Sequence, residues 1–178
     1  VFEPTQRRQR QDGDAEQREV GDQDAIERPA FRGEASDDRA EDLATPHAFR
    51  RDPEIVWDWY EWRRSLVGAC QPNAAHLTLV QMENHFDDFV LVTQNVDGLH
   101  GLAGSRQAVE LHGSIWRLRC TRNCRPAWED RRVPLPELPP RCPDWTSLAR
   151  PDVVWFGEPM PVAPLESAYA AAQRCQLM

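Results

Sequence analysis

The stretch Thr93–Gly113, TQNVDGLHGLAGSRQAVELHG, follows the apolar run FVLV and brings amide, carboxylate and imidazole side chains close together in the chain. The apolar run belongs to DFVLVTQN, which lacks polar alternation and predicts a short buried strand of a parallel sheet. Gln94, Asn95 and Asp97 come at the end of that strand. Ligands of open α/β sheets bind at the carboxyl ends of strands, so these side chains are predicted to face a ligand. An Asx-rich turn is the simpler alternative for the same residues.

Helix and strand patterns alternate around this stretch. The predicted helices cover residues 51–68, 72–86 and 162–175. Further strands are predicted over 114–120 and 150–158, the second of them buried and ending in Gly157 and Glu158. Alternation of this kind indicates an α/β fold built on a parallel sheet.

The first predicted helix carries clear boundary signals. Asp52 suits the N-cap, Pro53 the first helical position and Gly68 the end. The apolar stripe of this helix is predicted to contain Ile55, Val56, Trp59 and Leu66.

The chain length and charge limit the class of protein. A length of 178 residues suffices for one domain with a core and a small insert. The formal net charge of -8 disfavours a nucleic-acid partner, because such binders present a basic face. We find no apolar run that would span a membrane and no apolar leader after Val1, so no membrane partner is expected and the predicted location is cytoplasmic.

Residues 1–44 differ in composition from the rest of the chain. Charged residues dominate this segment, and its only aliphatic side chains larger than alanine are Val1, Val20, Ile26 and Leu43. Such a segment buries too little apolar surface to offset its ordering entropy, so we predict that it is mostly disordered. Residues 45–178 are predicted to form the folded core.

Three cysteines have the spacing of a metal site. Cys120 and Cys124 are separated by three residues, and Cys142 follows. An odd total of five cysteines fits a reducing compartment and a metal site better than a set of disulfides. Cys70 and Cys175 lie in or beside predicted helices and are expected to be buried thiols.

Three motifs, TQNVDGLHGLAGS, ELHGS and RPDVVWFGE, resemble the signature motifs of the sirtuins, which are NAD-dependent protein deacylases. The segment ATPHAFRRDPEIVWDWYEWRR resembles the bacterial and mitochondrial branch that removes acidic acyl groups. The resemblance extends from about Pro29 to Met178. It implies a Rossmann-like parallel sheet with a small cysteine-containing, zinc-type insert over about 115–150.

The resemblance also implies an activity: removal of acetyl, succinyl or malonyl groups from protein lysines, with release of nicotinamide and O-acyl-ADP-ribose. By this resemblance Gln94, Asn95 and Asp97 line the nicotinamide pocket, where amide and carboxylate groups match a carboxamide. His112 is implied as the general base for the ribose hydroxyls, and imidazole suits proton transfer near neutral pH. His100 is expected to be structural.

Tyr60 and Arg63 lie three residues apart on the first predicted helix and therefore share a face. The resemblance implies that they bind the distal carboxylate of a succinyl- or malonyl-lysine, for which a planar guanidinium is well suited. An ordinary exposed pair on an amphipathic helix is the alternative. Arg64 projects about 100° away and is the weaker candidate.

Further contacts follow from the resemblance alone. Phe31 and Arg32, in AFRG, are implied cofactor contacts. The segment VVWFGE is implied to bind the substrate peptide as a strand partner. The residues concerned are Val154, Phe156, Gly157 and Glu158.

The cysteine motif departs from the family pattern at one position. The fourth zinc-binding cysteine of the family corresponds to Trp145. A structural zinc site uses four ligands, so Cys120, Cys124 and Cys142 would need Asp144 or a water to complete the shell.

Two family motifs that hold the dinucleotide are not found in the sequence. The glycine turn GAGIS does not precede AFRG, and the GTS motif does not follow RCQLM. Residues 45–178 are therefore expected to be an incomplete sirtuin core. The alternatives to an active deacylase are a catalytically impaired remnant without the NAD cradle and a zinc-ribbon interaction module.

Overall fold

The computed structural model describes residues 40–176. Its helices are α1 (Ala40–Leu43), α2 (Pro46–Arg51), α3 (Pro53–Gly68), α4 (Ala74–His85), α5 (Leu99–Ala103) and α6 (Val162–Arg174). Its strands are β1 (Leu91–Thr93), β2 (Ala108–Glu110), β3 (Gly113–Cys120), β4 (Trp128–Glu129) and β5 (Ala149–Val153). No helix within this part of the chain is long and apolar enough to cross a membrane.

Helix α3 begins and ends where its sequence signals predict. The Asp52 side chain accepts a hydrogen bond from the Ile55 backbone N–H at 3.1 Å, and Pro53 occupies the first turn. The buried face differs from the predicted stripe, because Ile55 and Leu66 are only half-buried. The side chains that α3 buries are Val56, Trp57, Trp59, Tyr60 and Arg64.

The core is built mainly from aromatic side chains between α3 and the strand β3. Trp57 and Tyr60 are fully buried, and the Trp57 indole N–H donates to the Ala149 carbonyl at 2.9 Å. Phe49 of α2 packs against Trp155 with ring centroids 5.3 Å apart. Burial of several large rings supplies most of the hydrophobic stabilisation here, at about 25 cal/mol per Å² of apolar surface.

Arg64 is a structural residue inside this core. Its side chain is 0% exposed, and its guanidinium donates to the carbonyls of Ile115, Asp130 and Arg132 at 2.6, 2.7 and 2.9 Å. Burial lowers the pKa of Arg64, and the nearby Glu61 carboxylate opposes that shift. Arg64 therefore fastens α3 to β3 and to the loop after β4 from inside the core.

The variant Arg64→Met is expected to destabilise the fold by about 2 to 3 kcal/mol, because three buried carbonyls lose a charged donor. The free energy of unfolding, measured by urea denaturation, tests this. Arg63→Met, one position earlier on the same helix, is the matched control and should cost less than about 1 kcal/mol, the size of an exposed cation–π contact. Equal losses in the two variants would contradict the structural role of Arg64.

The strands form one parallel pair and one antiparallel sheet. β1 and β2 are parallel, with Leu91 opposite Ala108, as predicted for the strand before Gln94. β1 is less buried than predicted, and Val92 is 38% exposed. The second sheet has the order β4-β3-β5 and is antiparallel throughout.

The strand predicted over 150–158 is wrong in its second half. β5 ends at Val153 and runs antiparallel to β3. After it, one more bond continues the pairing, from the Val154 N–H to His112 O at 3.0 Å, whereas the Phe156 N–H donates away from β3, to Ala44 O at 2.9 Å. Residues 154–158 therefore form a turn.

The prediction that Cys70 and Cys175 are buried is also wrong. Both are exposed, because each follows the C-terminal end of a helix. Their thiols donate to helix-end carbonyls, those of Leu66 and Ala172.

Candidate active site

The polar loop after β1 is fastened to the start of β3 by a series of hydrogen bonds. The Ile115 N–H donates to Val96 O at 3.0 Å, and the Trp116 indole N–H donates to Asp97 O at 2.5 Å. Next to them, His112 Nδ1 lies 3.2 Å from Gln94 O. Two segments well separated in sequence are thereby held in one fixed arrangement.

A hollow of about 270 Å³ lies beside this loop. Its lining residues are Arg63, Val67, Gln94, Asn95, Val96, Asp97 and Ile115. The hollow therefore brings the three polar residues predicted to face a ligand together with one of the two residues predicted to bind an acyl carboxylate. Val67, Val96 and Ile115 supply the apolar part of its wall.

His112 lines a second hollow of about 270 Å³. The same hollow is lined by Val153 and Val154 and by charged residues of β2, β3 and β5. Since Nδ1 faces the Gln94 carbonyl, donation from Nδ1 leaves Nε2 as the proton-accepting nitrogen of the neutral ring. His112 is thus suited to serve as a base on the side away from Gln94.

Two glycines make the close approach of these segments possible. Gly113 has φ +77°, and a Cβ at this position would lie 2.0 Å from the Asp152 carbonyl oxygen. Gly98 has φ +73°, and its Cβ would lie 2.8 Å from the Trp116 ring. Backbone of this kind favours glycine, and the contacts leave no room for a side chain.

The structure separates the roles of Tyr60 and Arg63. Tyr60 is 0% exposed, and its hydroxyl accepts a hydrogen bond from the Trp155 indole N–H at 2.8 Å. Burial raises the pKa of Tyr60. The Arg63 guanidinium lies 4.7 Å from the Trp59 ring centroid and 5.9 Å from that of Tyr60. Arg63 lines the hollow, whereas Tyr60 packs behind it.

The turn after β5 is held by an arginine that the sequence analysis overlooked. Arg150 donates to both carboxylate oxygens of Glu158, at 2.6 and 2.9 Å, and its guanidinium lies 3.3 Å from the centroid of the Trp155 ring. Glu158 also accepts from the Trp155 backbone N–H. Burial raises the pKa of Glu158, but the hydrogen bonds from Arg150 and Trp155 lower it by more. The pKa of Glu158 is therefore below its ordinary value.

The other predicted peptide contacts lie along the same turn. Phe156 is 54% exposed, and Gly157 has φ +82° with open space around it. Glu158 is bound within the chain, so its carboxylate stabilises the turn. Phe31 and Arg32 lie outside the described residues.

His100, expected to be structural, lies in α5 and lines neither of the two hollows. Its ring packs 4.7 Å from that of His76 of α4. Burial lowers the pKa of His100, and the adjacent His76 adds to the shift.

The three cysteines predicted to bind metal are close together at the far end of β3. Cys124 Sγ lies 3.2 Å from Cys120 Sγ and 3.4 Å from Cys142 Sγ. A hydrogen bond from Ser147 lowers the pKa of Cys120 to about 6, and the hydrogen bond with Cys120 raises that of Cys124 to about 12. Three sulfur donors in one cluster fit a zinc ion.

Comparisons with known proteins agree with this fold. The model of the Sir2 family matches residues 29–178. An NAD-dependent protein deacylase of Aquifex aeolicus is 47% identical over 152 residues, which cover 84% of this chain and 63% of that protein. A Sir2 homologue solved as an NAD complex has a TM-score of 0.73 and 43% identity, covering 83% of this chain and 58% of that one. A Sir2 structure with p53 peptide and NAD+ has a TM-score of 0.60 and 29% identity, covering 71% and 53%.

The fold, the motif-bearing loop and these matches define one class of protein: the chain belongs to the Sir2 family. It spans 63% of the length of the Aquifex relative.

Proposed function

We propose that this chain carries the acyl-transfer site of an NAD-dependent protein-lysine deacylase, which releases nicotinamide and O-acyl-ADP-ribose. The observation that supports this most directly is the contact between His112 Nδ1 and Gln94 O, because it joins the proposed base to the polar loop of the hollow. The relative named as a deacylase and the Sir2 homologue solved with NAD support the same activity.

The residues around the first hollow fit the carboxamide end of NAD. The side-chain amides of Gln94 and Asn95 offer both donors and acceptors, which match a carboxamide. Asp97 adds a carboxylate, one oxygen of which accepts from the Leu99 N–H at 2.9 Å and is held in place by that bond. NAD, when bound, supplies a nicotinamide–ribose bond that breaks and a ribose hydroxyl that accepts the acyl group.

The chain's own residues bind, orient and move a proton in the proposed reaction. Gln94, Asn95 and Asp97 hold the nicotinamide ring, and Val67 and Ile115 keep water from one wall of the hollow. His112 Nε2 takes the proton of a ribose hydroxyl. Phe31 and Arg32 remain proposed cofactor contacts, Phe31 beside the reactive ribose and Arg32 near the phosphates or the acyl group.

The proposed substrate is an acyl-lysine protein or peptide. Val154 lines the hollow beside His112, and the exposed turn with Phe156 and Gly157 follows it directly. The carbonyl groups of Val154 and Phe156 are the proposed peptide contacts, because the N–H groups of both residues donate within the chain. The Sir2 structure that contains a p53 peptide supports this class of partner. Glu158 acts indirectly, by holding the turn through Arg150.

The experiment that tests the function incubates the full chain with NAD and an acetyl-, succinyl- or malonyl-lysine peptide, and follows nicotinamide and O-acyl-ADP-ribose by mass spectrometry. We expect both products in equal amounts, and only when NAD and peptide are both present. Calorimetry with NAD alone is the companion measurement. A folded chain that shows neither NAD binding nor product would favour the impaired remnant.

A preference for acidic acyl groups is proposed to depend on Arg63, supported by Tyr60 packed behind it. Arg63→Met is expected to lower kcat/KM for succinyl-lysine by about 10- to 100-fold, the value of a charged hydrogen bond, with little effect on acetyl-lysine. The ratio of the two rates in the variant and the wild type measures this. Arg51→Met, at the exposed end of α2, is the control. An unchanged ratio in Arg63→Met would remove the basis for the preference.

We also propose that Cys120, Cys124 and Cys142 hold a structural zinc ion. Their sulfur atoms lie within 4.8 Å of one another, and soft thiolate donors select zinc. The ion would fix the end of β3 relative to the loop before β5.

A further inference from the structure

We infer that Ser147 supplies the fourth donor of the zinc site, in place of the cysteine that Trp145 replaces. This inference rests on the zinc site proposed above. The spacing of the cysteines does not predict this residue, which lies two positions after Trp145. Serine is also an uncommon zinc ligand.

The position of the Ser147 hydroxyl fits one corner of a tetrahedron. Zinc–sulfur and zinc–oxygen bonds of about 2.3 and 2.0 Å give edges of about 3.8 Å between two sulfurs and about 3.5 Å between sulfur and oxygen. Ser147 Oγ lies 3.2 Å from Cys120 Sγ, and the sulfur–sulfur distances from Cys124 are 3.2 and 3.4 Å. Each of these three edges is therefore a few tenths of an ångström shorter than the ideal edge, and a small outward shift of the donor atoms would make room for an ion between them.

The backbone fixes Ser147 at this place. The Cys142 N–H donates to Ser147 O at 2.9 Å, and Arg141 pairs with Leu148 in an antiparallel bridge. On the other side, the Thr121 N–H donates to Leu148 O at 3.1 Å. Ser147 therefore lies on a short paired segment directly across from two of the three cysteines.

Trp145, at the position of the family's fourth cysteine, and its neighbour Asp144 make their contacts outside the cysteine cluster. Asp144 pairs with Arg125 at 3.3 Å, and its side chain is 51% exposed. Trp145 is 56% exposed and lies under Arg122, whose guanidinium is 5.5 Å from the ring centroid. Within residues 40–176, no His, Asp or Glu joins the three-cysteine cluster as a fourth donor.

The test measures zinc affinity of the full chain by competition with a chromophoric chelator. Ser147→Ala is expected to weaken zinc binding by about 10-fold or more, and Ser147→Cys to strengthen it by a similar factor. Asp144→Asn is the matched control and should bind zinc as the wild type does. Circular dichroism shows whether each variant is folded. If Ser147→Ala does not fold, the zinc affinity of Ser147→Cys still decides the test.

Cobalt replaces zinc for a second readout, since sulfur-to-cobalt charge-transfer absorption reports the number of thiolates. In Ser147→Cys this absorption should rise by about one third, from three thiolates to four. Wild-type affinity in Ser147→Ala, or wild-type absorption in Ser147→Cys, would overturn the assignment of Ser147 while leaving the zinc site intact. A loss of zinc in Asp144→Asn alone would assign the fourth donor to Asp144. A wild-type chain that binds no zinc would overturn both the site and the assignment.

Discussion

The His112→Ala variant is expected to form deacylated peptide at least about 100-fold more slowly than the wild type, the usual contribution of a general base. The expectation follows from the position of the ring: Nδ1 faces Gln94 O, and the ring lines the hollow next to Val154. Without the imidazole, no group in this position accepts the proton of the ribose hydroxyl. The rate of peptide deacylation at saturating NAD is the measurement.

His85→Ala is the matched control for this variant, because His85 is exposed at the end of α4. It should deacylate at the wild-type rate. Both variants should unfold at nearly the wild-type temperature, since His112 contributes one half-exposed hydrogen bond. Deacylation by His112→Ala within threefold of the wild type would show that another group acts as the base.

The Gly113→Ala variant is expected to lose about 4 kcal/mol or more of folding free energy. A left-handed backbone costs an alanine about 1 to 2 kcal/mol, and the new methyl would meet the Asp152 carbonyl oxygen at 2.0 Å. The pairing of β3 with β5 would have to open at its first residue pair, Gly113 and Val153. Urea denaturation followed by circular dichroism measures the loss.

Gly101→Ala provides the control for this substitution. Gly101 lies inside α5, and a Cβ there meets nothing within 4 Å. Alanine is the better helix former, so this variant should be unchanged or more stable by up to about 1 kcal/mol. A Gly113→Ala protein as stable as Gly101→Ala would mean that the β3–β5 register differs from the one described.

Local sequence signals predict the local parts of this structure well. The start of α3 depends on Asp52 and Pro53, which are neighbours in the chain, and the structure confirms it. The strand before Gln94 is confirmed for the same reason, since its apolar run is a signal within the segment itself, and this strand pairs in parallel as predicted.

The features that the sequence analysis missed depend on distant contacts. Val154, Trp155 and Phe156 all favour a strand, but the Phe156 N–H donates to Ala44 O and draws the backbone away from β3. Ala44 cannot be identified as this partner from the segment itself.

The difference between Arg63, which lines a hollow, and the buried Arg64 also depends on distant contacts, although the sequence contains one signal of it. Arg64 follows Trp57 by seven residues and Tyr60 by four, which places it on the buried stripe of the helix. Because the buried stripe of the helix is predicted from apolar residues alone, Arg64 is not included in it. Only the carbonyl acceptors, supplied by β3 and the loop after β4, make its burial favourable.

Trp155 connects two parts of the proposed substrate site. Its indole N–H bonds to Tyr60, which packs behind Arg63, while its ring and backbone are held by Arg150 and Glu158. Under the proposed function, one indole thus links the group that distinguishes acyl chains to the turn that holds the peptide. If the chain acts as proposed, acyl preference and target preference are coupled through this indole, and we expect a substitution at Trp155 to change both.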